Sequence, residues 1–453
     1  MKNKTLISDF TQGNIAKQLF TFATPLFLSS LLQVVYNMVD MVVVGHVMGK
    51  TGLSAVSIGG DVSSFLTFIA MGFSNAGQVI VSQYIGAGKK ERLGRFIASM
   101  FSFLTIIAAV LSVVCLVFRR QILTLMNTPE EAFTEALGYS TVCIVGMVFI
   151  YGYNMVSAVL RGMGDSKHPF VFISIAAVLN IILDIIFVKY MSMGSSGAAL
   201  ATVISQAVSF LSCCVFLYKR KDDFGFEFQA KYFWDWDKPM LSELIKLGVP
   251  MAIKSASIHF SKLFVNSWIN SYGVVVSAFA GVANKVNSIS NLLSNSLNTA
   301  GSSMVGQNIG AKQFKRVPKI MVTLFASGLC ISAVMSVLVH MFPQQIFGLF
   351  TSDKAVLAVA MEYITVATVI FFGSAFRAPM NALINGSGIH KINFATAIFD
   401  GIIMRIGLSV LFGLVFNMGY IGFWLGDALA GYTPFVIGIV FYFSGKWKSK
   451  VIK

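Results

Sequence analysis

Apolar stretches long enough to cross a lipid bilayer recur along the whole chain. A helix of about 20 apolar residues spans the hydrocarbon core, and about twelve such stretches are present. The predicted spans lie near residues 15–47, 53–81, 96–118, 136–160, 169–190, 195–218, 244–270, 275–303, 318–342, 357–385, 393–416 and 420–445. Only 12% of the residues are charged, whereas a soluble domain carries roughly 25%. We therefore predict an all-α integral membrane protein.

The basic residues predict how these spans are oriented. Four groups of lysines and arginines fall on the same side as the N-terminus, at residues 89–95, 219–221, 312–319 and 446–453. The positive-inside rule then makes both termini cytoplasmic and suits a multi-pass protein of the cell membrane. Arg119 and Arg120 are the exception on the opposite side. The net charge of +15 would also suit nucleic acid, but basic groups anchored between membrane spans on one side fit membrane topology better, so we expect no nucleic-acid partner.

The second half of the chain repeats the first at a spacing of 224 residues. QYIGA at 83–87 recurs as QNIGA at 307–311, and the glycine pattern of 162–170 recurs at 386–394. About six spans separate equivalent positions, so the halves share one orientation and a pseudo-twofold axis along the membrane normal. The predicted parts are an N-lobe (1–218), a cytoplasmic linker (219–243) and a C-lobe (244–453). Such folds place a substrate site between lobes that rock to expose it to each side in turn.

The first span carries polar residues on one stripe. Gln33, Tyr36, Asn37 and Asp40 are spaced by three, four and seven residues, so they lie on one face of a helix. An ionisable residue inside a span is costly and is a functional hypothesis by default. Pro25 lies earlier in the same span, where the missing N–H allows a helix to bend. We predict that this carboxylate, which lies beyond a potential hinge, acts as a protonation switch. Tyr36 and Asn37 are assigned to the same cation-coupling site.

The fifth and sixth spans add further oxygen ligands. Asn180 and Asp184 lie one turn apart on the fifth span, and Thr202 lies on the sixth with Ala198 one turn earlier. Together with Asp40 these groups can hold a small hard cation such as sodium, or two carboxylates can share a proton. The alternative is that Asp40 and Asp184 only satisfy hydrogen bonds between helices.

The eighth span has one strongly polar face. Its asparagines follow each other at steps of three or four residues, at Asn284, Asn287, Asn291, Asn295 and Asn298. A face this polar is unsuited to lipid, so it lines a substrate cavity or joins helices by hydrogen bonds. We favour the cavity and predict that the first four of these residues border it.

The C-lobe spans also carry buried charge of mostly basic character. The basic residues are Lys254, His259, Lys262, Lys285 and Arg405, and the acidic residues available as partners are Asp400 and Asp427. His259 and Lys262 are predicted to bind substrate, although paired structural charge is an equal alternative. Asp61 aligns with Lys285 in the repeat and, with Gln33, is assigned to the substrate cavity.

The sequence lacks the common motifs of ATP hydrolysis and of other enzymatic catalysis. It contains no G-x-x-x-x-G-K-[ST], no H-E-x-x-H, no G-x-S-x-G and no Gly-rich dinucleotide fingerprint. We therefore expect no enzymatic activity and no organic cofactor. The energy for transport must come from an ion gradient or from another protein.

Several segments together resemble the multidrug and toxic compound extrusion (MATE) family. They are residues 25–33, 36–37, 40–45, 83–88, 160–169 and 179–184. The resemblance extends over essentially the whole chain. Within the family, the sequence is similar to the branch called DinF-like. The resemblance implies a secondary antiporter that exports organic cations and amphipathic drugs in exchange for sodium or protons.

The resemblance also implies roles for particular residues. It implies a cation site in the first lobe formed by Asp40, Asn180, Asp184 and Thr202, with Tyr139 close to it. It further implies that the first helix bends near its proline as the aspartate changes protonation. The second lobe departs from relatives that carry essential acids there. An exporter of anionic metabolites or a flippase of lipid-linked precursors is therefore the alternative, and we expect a single chain to suffice for either.

Overall fold

The computed structural model describes residues 7–225, 227 and 229–449, and the end of the basic tail (450–453) lies outside them. The described part of the chain is helical and contains no strand, which confirms the all-α prediction. The helices are α1 (Ile15–Gly86), α2 (Leu93–Leu125), α3 (Glu130–Val145), α4 (Met147–Gly162), α5 (Lys167–Asp184), α6 (Gly194–Lys219), α7 (Lys221–Phe224), α8 (Lys238–Asn270), α9 (Val274–Gly310), α10 (Val317–Met341), α11 (Pro343–Gly348), α12 (Lys354–Gly386), α13 (His390–Ile398), α14 (Met404–Val410), α15 (Gly419–Ala430) and α16 (Thr433–Phe443). Short π-helical segments follow α5 (Ile185–Tyr190), join α13 to α14 (Phe399–Ile403) and extend α14 (Leu411–Val415).

Most of these helices are membrane spans by length and composition. Among the described residues, eight helical stretches are long and apolar enough to cross a membrane when α13 with α14 and α15 with α16 each count as one stretch. The number is nine when α3 and α4, bent by 48°, also count as one span. The 72 residues of α1 contain two of the predicted spans. The helices α8 and α9, with 33 and 37 residues, are also long enough, but they carry more polar and charged side chains. Each of the predicted spans thus lies on one of these helices or bent pairs.

The two spans within α1 are separated by a break at Gly49. Its backbone has φ 63° and ψ −148°, a conformation that favours glycine because a Cβ would clash with the backbone. Pro25 lies inside the first part of α1. Since proline supplies no N–H to the helical ladder, α1 has a second position at which it can bend.

The internal repeat is confirmed by equivalent packing within each half. A Cβ added to Gly162 would lie 2.7 Å from the carbonyl oxygen of Gln78, in the first part of the chain. A Cβ added to Gly386 would lie 2.9 Å from the carbonyl oxygen of Ser302. Both members of the second pair are 224 residues beyond the first. The same glycine therefore allows the same close helix approach twice.

The repeated QxIGA segments also contact each other reciprocally. A Cβ on Gly86 would lie 2.0 Å from the carbonyl oxygen of Gln307, and one on Gly310 would lie 2.1 Å from that of Gln83. The Gln83 side chain donates a hydrogen bond from Nε2 to the carbonyl oxygen of Gly386 at 2.8 Å. Only glycine permits this backbone approach, which explains why both segments have glycine at their fourth position.

Contacts divide the chain into two compact units. The first contains residues 7–8, Leu28–Val81 and Lys89–Gly248, and the second contains Asp9–Phe27, Ser82–Gly88 and residues 249–449. Inside α1, the first boundary between the two units therefore lies after Phe27, two residues beyond Pro25. In the first unit, the predicted linker packs on α2, where Arg95 donates a hydrogen bond to Asp235. The division into an N-lobe, a linker and a C-lobe stays a prediction.

Candidate functional site

Four predicted residues from three helices meet inside the first unit. Asp40 lies in α1, Asn180 and Asp184 lie at the end of α5, and Thr202 lies in α6. Asn180 Nδ2 donates a hydrogen bond to Thr202 Oγ1 at 3.4 Å, and Thr202 Oγ1 donates one to Asp40 Oδ2 at 3.3 Å. The carboxyl groups of Asp40 and Asp184 interact electrostatically. We call these four residues the acidic cluster.

The acidic cluster is closed to solvent and contains unsatisfied oxygen atoms. Asp40, Asn180 and Asp184 are 4%, 1% and 0% exposed. Among the described residues, none donates a hydrogen bond to Asp40 Oδ1, Asn180 Oδ1 or either carboxylate oxygen of Asp184. Two buried carboxylates repel each other unless a cation or a proton lies between them. Because carboxylate, amide and hydroxyl oxygens suit hard cations, the residues present fit a sodium ion or a shared proton.

Further predicted residues border the acidic cluster. Tyr139, 7% exposed, interacts electrostatically with both Asp40 and Asp184. Its ring packs closely on α1, since a Cβ added to Gly59 would lie 2.4 Å from Tyr139 Cδ1. Ala198 is fully buried and packs in the same apolar cluster as Tyr139. These contacts make Tyr139 a direct neighbour of the acidic cluster.

The polar stripe on α1 is only partly turned toward the protein. Tyr36 is buried, and Gln206 Nε2 donates a hydrogen bond to its hydroxyl at 3.4 Å. Gln33 is half-buried, and Asn37 is exposed. Sequence reasoning missed Gln206, although its position one turn after Thr202 on α6 was a sufficient signal.

A polar cavity of about 140 Å³ lies inside the second unit. Residues from α8, α9, α12, α14 and α15 form its wall. Of the residues predicted to line a cavity, Lys262, Asn284, Asn287 and Asn291 border this one. Asn287 Nδ2 donates a hydrogen bond to the Tyr363 hydroxyl at 2.6 Å. We call this feature the C-unit cavity.

Four of the residues assigned to a substrate cavity lie elsewhere. Asn295 is exposed on α9, and His259 is half-buried on α8 without bordering the described cavity wall. Gln33 and Asp61 belong to the first unit, and Asp61 is exposed. Three residues of the asparagine face border the cavity, and their role in substrate binding stays a prediction. The periodicity of that face gave no indication of where the cavity ends.

An ion network borders the C-unit cavity. Arg405, 2% exposed, donates from Nη1 to Asp427 Oδ1 at 2.5 Å and from Nη2 to Asp400 Oδ1 at 3.3 Å. Arg377 on α12 also faces the cavity, and sequence reasoning missed it. The signal was present, because Arg377 is an ionisable residue in the middle of an apolar span.

The fold is that of an all-helical, multi-pass membrane protein with a polar site in each of its two units. The family model described as MatE matches residues 25–186 and 250–422, which is more than half of the chain. The chain therefore belongs to the MATE family.

Relatives and solved structures agree with that assignment. The chain is 30% identical to the probable multidrug resistance protein YoeA of Bacillus subtilis (strain 168), over 98% of this chain and 96% of the relative. It is 24% identical to the multidrug export protein MepA of Staphylococcus aureus (strain NCTC 8325 / PS 47), over 89% and 90%.

Two solved structures share the fold over nearly their full length. A MOP superfamily transporter from Pyrococcus furiosus superposes with a TM-score of 0.89 at 21% identity, covering 100% of this chain and 99% of that one. A crystal structure of a MATE protein in complex with MaL6 gives a TM-score of 0.89 at 21% identity, covering 99% and 100%. At this identity the likeness establishes the fold.

Proposed function

We propose that the chain is a cation-coupled antiporter that exports small amphipathic molecules from the cell, with sodium or a proton bound at the acidic cluster. The observation that carries this proposal is the set of four buried oxygens in the cluster that no described donor satisfies. A coupling cation or proton would neutralise the two carboxylates, which otherwise repel each other at a buried site. The export of drugs is supported by the relatives named as multidrug resistance and multidrug export proteins.

Coupling requires that ion binding changes the conformation, and α1 supplies a means. Asp40 lies in the part of α1 that belongs to the first unit, whereas Pro25 lies in the part that belongs to the second. We propose that neutralising Asp40 alters the bend of α1 near Pro25. Solved structures described as MATE in straight and bent conformations support such a bend in a protein of the same fold.

The cellular setting follows from the same proposal. We propose a location in the cell membrane with both termini in the cytoplasm, supported by the four basic groups on one side of the spans. A membership of the DinF-like branch and a single-chain functional unit remain predictions from the sequence.

The proposal is tested with purified protein in liposomes loaded with rhodamine 6G, a fluorescent organic cation. A sodium gradient and a proton gradient are imposed separately, and dye efflux is followed by fluorescence. We expect efflux under one gradient, and we expect Asp40→Asn and Asp184→Asn to abolish it. Glu131→Gln, an exposed acid in the first turn of α3, is the matched control and should retain efflux. Efflux at the wild-type rate in both aspartate variants would show that transport does not depend on the acidic cluster.

The identity of the ion is tested with the neutral members of the acidic cluster. If sodium is the ion, Asn180→Ala and Thr202→Ala each remove one oxygen ligand and should raise the sodium concentration for half-maximal efflux about tenfold. Unchanged sodium dependence in both variants, with efflux still lost in Asp40→Asn, would assign coupling to protons.

A further inference from the structure

The C-unit cavity and its surroundings contain more positively than negatively charged side chains. Four cationic side chains interact electrostatically here with two carboxylates. The cations are Lys254, Lys262, Arg377 and Arg405, and the acids are Asp400 and Asp427. Uncompensated charge inside a membrane protein is expensive, so an excess of positive groups needs an explanation.

The two acids are both engaged by a single arginine. Arg405 binds Asp427 at 2.5 Å and Asp400 at 3.3 Å, and its own exposure of 2% fixes it in the wall. Asp400 is fully buried, while the Asp427 side chain retains 23% exposure toward the cavity. The positive charge of Arg405 is therefore compensated by these two acids, which have no other salt bridge among the described residues of the cavity.

The other cations have no carboxylate within salt-bridge distance among the described residues. Lys254 Nζ donates to the amide oxygen of Asn381 at 2.7 Å. Arg377 Nη2 donates to the amide oxygen of Asn291 at 3.2 Å. Lys262 forms no salt bridge within 4.0 Å in the described part of the chain, although it borders the cavity with Arg377. Neutral amides thus occupy the places where a purely structural network would have acids.

The cavity wall also offers hydrogen-bond donors beside these cations. The fully buried Tyr363 hydroxyl accepts a hydrogen bond from Asn287 beside the cavity, and among the described residues none accepts the proton of that hydroxyl. The indole of Trp424 forms part of the same wall and presents an aromatic surface. Cations, a hydroxyl donor and an aromatic face together suit an oxyanion that is attached to an apolar body.

We propose that the C-unit cavity binds the oxyanion group of a small amphipathic molecule, through Lys262 and Arg377. The inference rests on the proposed transport function and adds an anion-binding site to it. An organic cation such as rhodamine 6G would bind elsewhere, because in this cavity it would meet Lys262 and Arg377, neither of which has a salt bridge among the described residues. A planar guanidinium can hold a carboxylate or a phosphate with two parallel hydrogen bonds, and the lysine adds a mobile point charge. The oxyanion belongs to a free organic anion or to the head group of a lipid.

Binding is tested without any ion gradient, so that its outcome is separate from that of the transport assay. Protein in detergent is titrated with benzoate and with benzylamine, which have similar size and opposite charge at pH 7, and affinity is measured by calorimetry. We expect benzoate to bind at least tenfold more tightly. Lys262→Met and Arg377→Met should each weaken benzoate binding about tenfold or more. Lys246→Met, an exposed lysine of the same helix α8, should leave it unchanged.

The source of the oxyanion is distinguished by the lipid. The titration is repeated in nanodiscs of phosphatidylcholine and of phosphatidylglycerol. Competition by phosphatidylglycerol that disappears in Lys262→Met would assign the site to a lipid head group, and equal affinity in both lipids would assign it to a free anion.

Equal affinity for benzoate and benzylamine would overturn the proposal, as would benzoate binding that Lys262→Met and Arg377→Met leave unchanged. Misfolding of one variant is checked with Lys262→Arg, which retains the charge and should retain benzoate binding. If the protein exports rhodamine 6G under a gradient but shows no preference for benzoate, this inference fails and the proposed antiport stands.

Discussion

Arg405 is the residue on which the ion network of the C-unit cavity depends. Its guanidinium binds Asp427 at 2.5 Å and Asp400 at 3.3 Å, and both contacts are removed from bulk water. Replacing it by methionine keeps an unbranched apolar chain but leaves two carboxylates without their donor. Removing one partner of a buried ion pair typically costs about 3–5 kcal/mol, because the remaining charge stays buried and uncompensated.

We expect Arg405→Met to lower the free energy of unfolding by about 3–5 kcal/mol. The measurement is an SDS titration of the protein in mixed micelles, followed by tryptophan fluorescence. The matched control is Arg220→Met, which removes an ion pair with Asp223 of similar length, 3.0 Å, at an exposed position. Exposed pairs contribute roughly 0–1 kcal/mol, so this control should change stability by less than about 1 kcal/mol.

A second variant separates lost charge compensation from lost packing. Asp400→Asn combined with Arg405→Met removes the fully buried carboxylate together with its partner, so we expect it to recover more than half of the loss. If Arg405→Met is no more destabilising than Arg220→Met, or if the double variant recovers nothing, the network is not held together by these charges and the reasoning is wrong.

Two further predictions concern backbone packing and pH. Gly86→Ala places a methyl group 2.0 Å from a carbonyl oxygen, so we expect it to lower the free energy of unfolding by about 1–3 kcal/mol. The control is Gly60→Ala, in the same helix with open space around it, which should be neutral or slightly stabilising. An equal loss of stability in both variants would contradict the close contact at Gly86. Partial burial raises the pKa of Asp9, but hydrogen bonds from Thr11 and Gln12 outweigh it and lower that pKa below its usual value. A carboxyl group with a lowered pKa contributes stability that is present above about pH 4 and is lost as the pH falls through its pKa in the folded protein. Asp9→Asn should therefore reduce the fall in melting temperature on acidification. An unchanged dependence of the melting temperature on acidic pH would refute this.

The sequence was sufficient for those features that depend on local composition. Apolar stretches determine spans because a buried backbone must satisfy its hydrogen bonds within each helix. Helical periodicity places Asn180 and Asp184 on one face, and the cost of an ionisable group in a span singles out Asp40. The repeat was also visible, because equivalent close approaches require equivalent glycines at 162 and 386.

Only the tertiary structure decided how these polar groups combine. Which acid pairs with Arg405 depends on the approach of α14 to the helices around it. One arginine binds both acids, and in the part of the chain that the structure describes Lys262 and Arg377 then have no carboxylate within salt-bridge distance. Likewise, Asn291 borders the cavity and Asn295 does not, although both lie on one predicted face of α9. Periodicity along a helix fixes the direction of a side chain but not its neighbour, because a contact between helices depends on distances that residues far apart in the sequence set together.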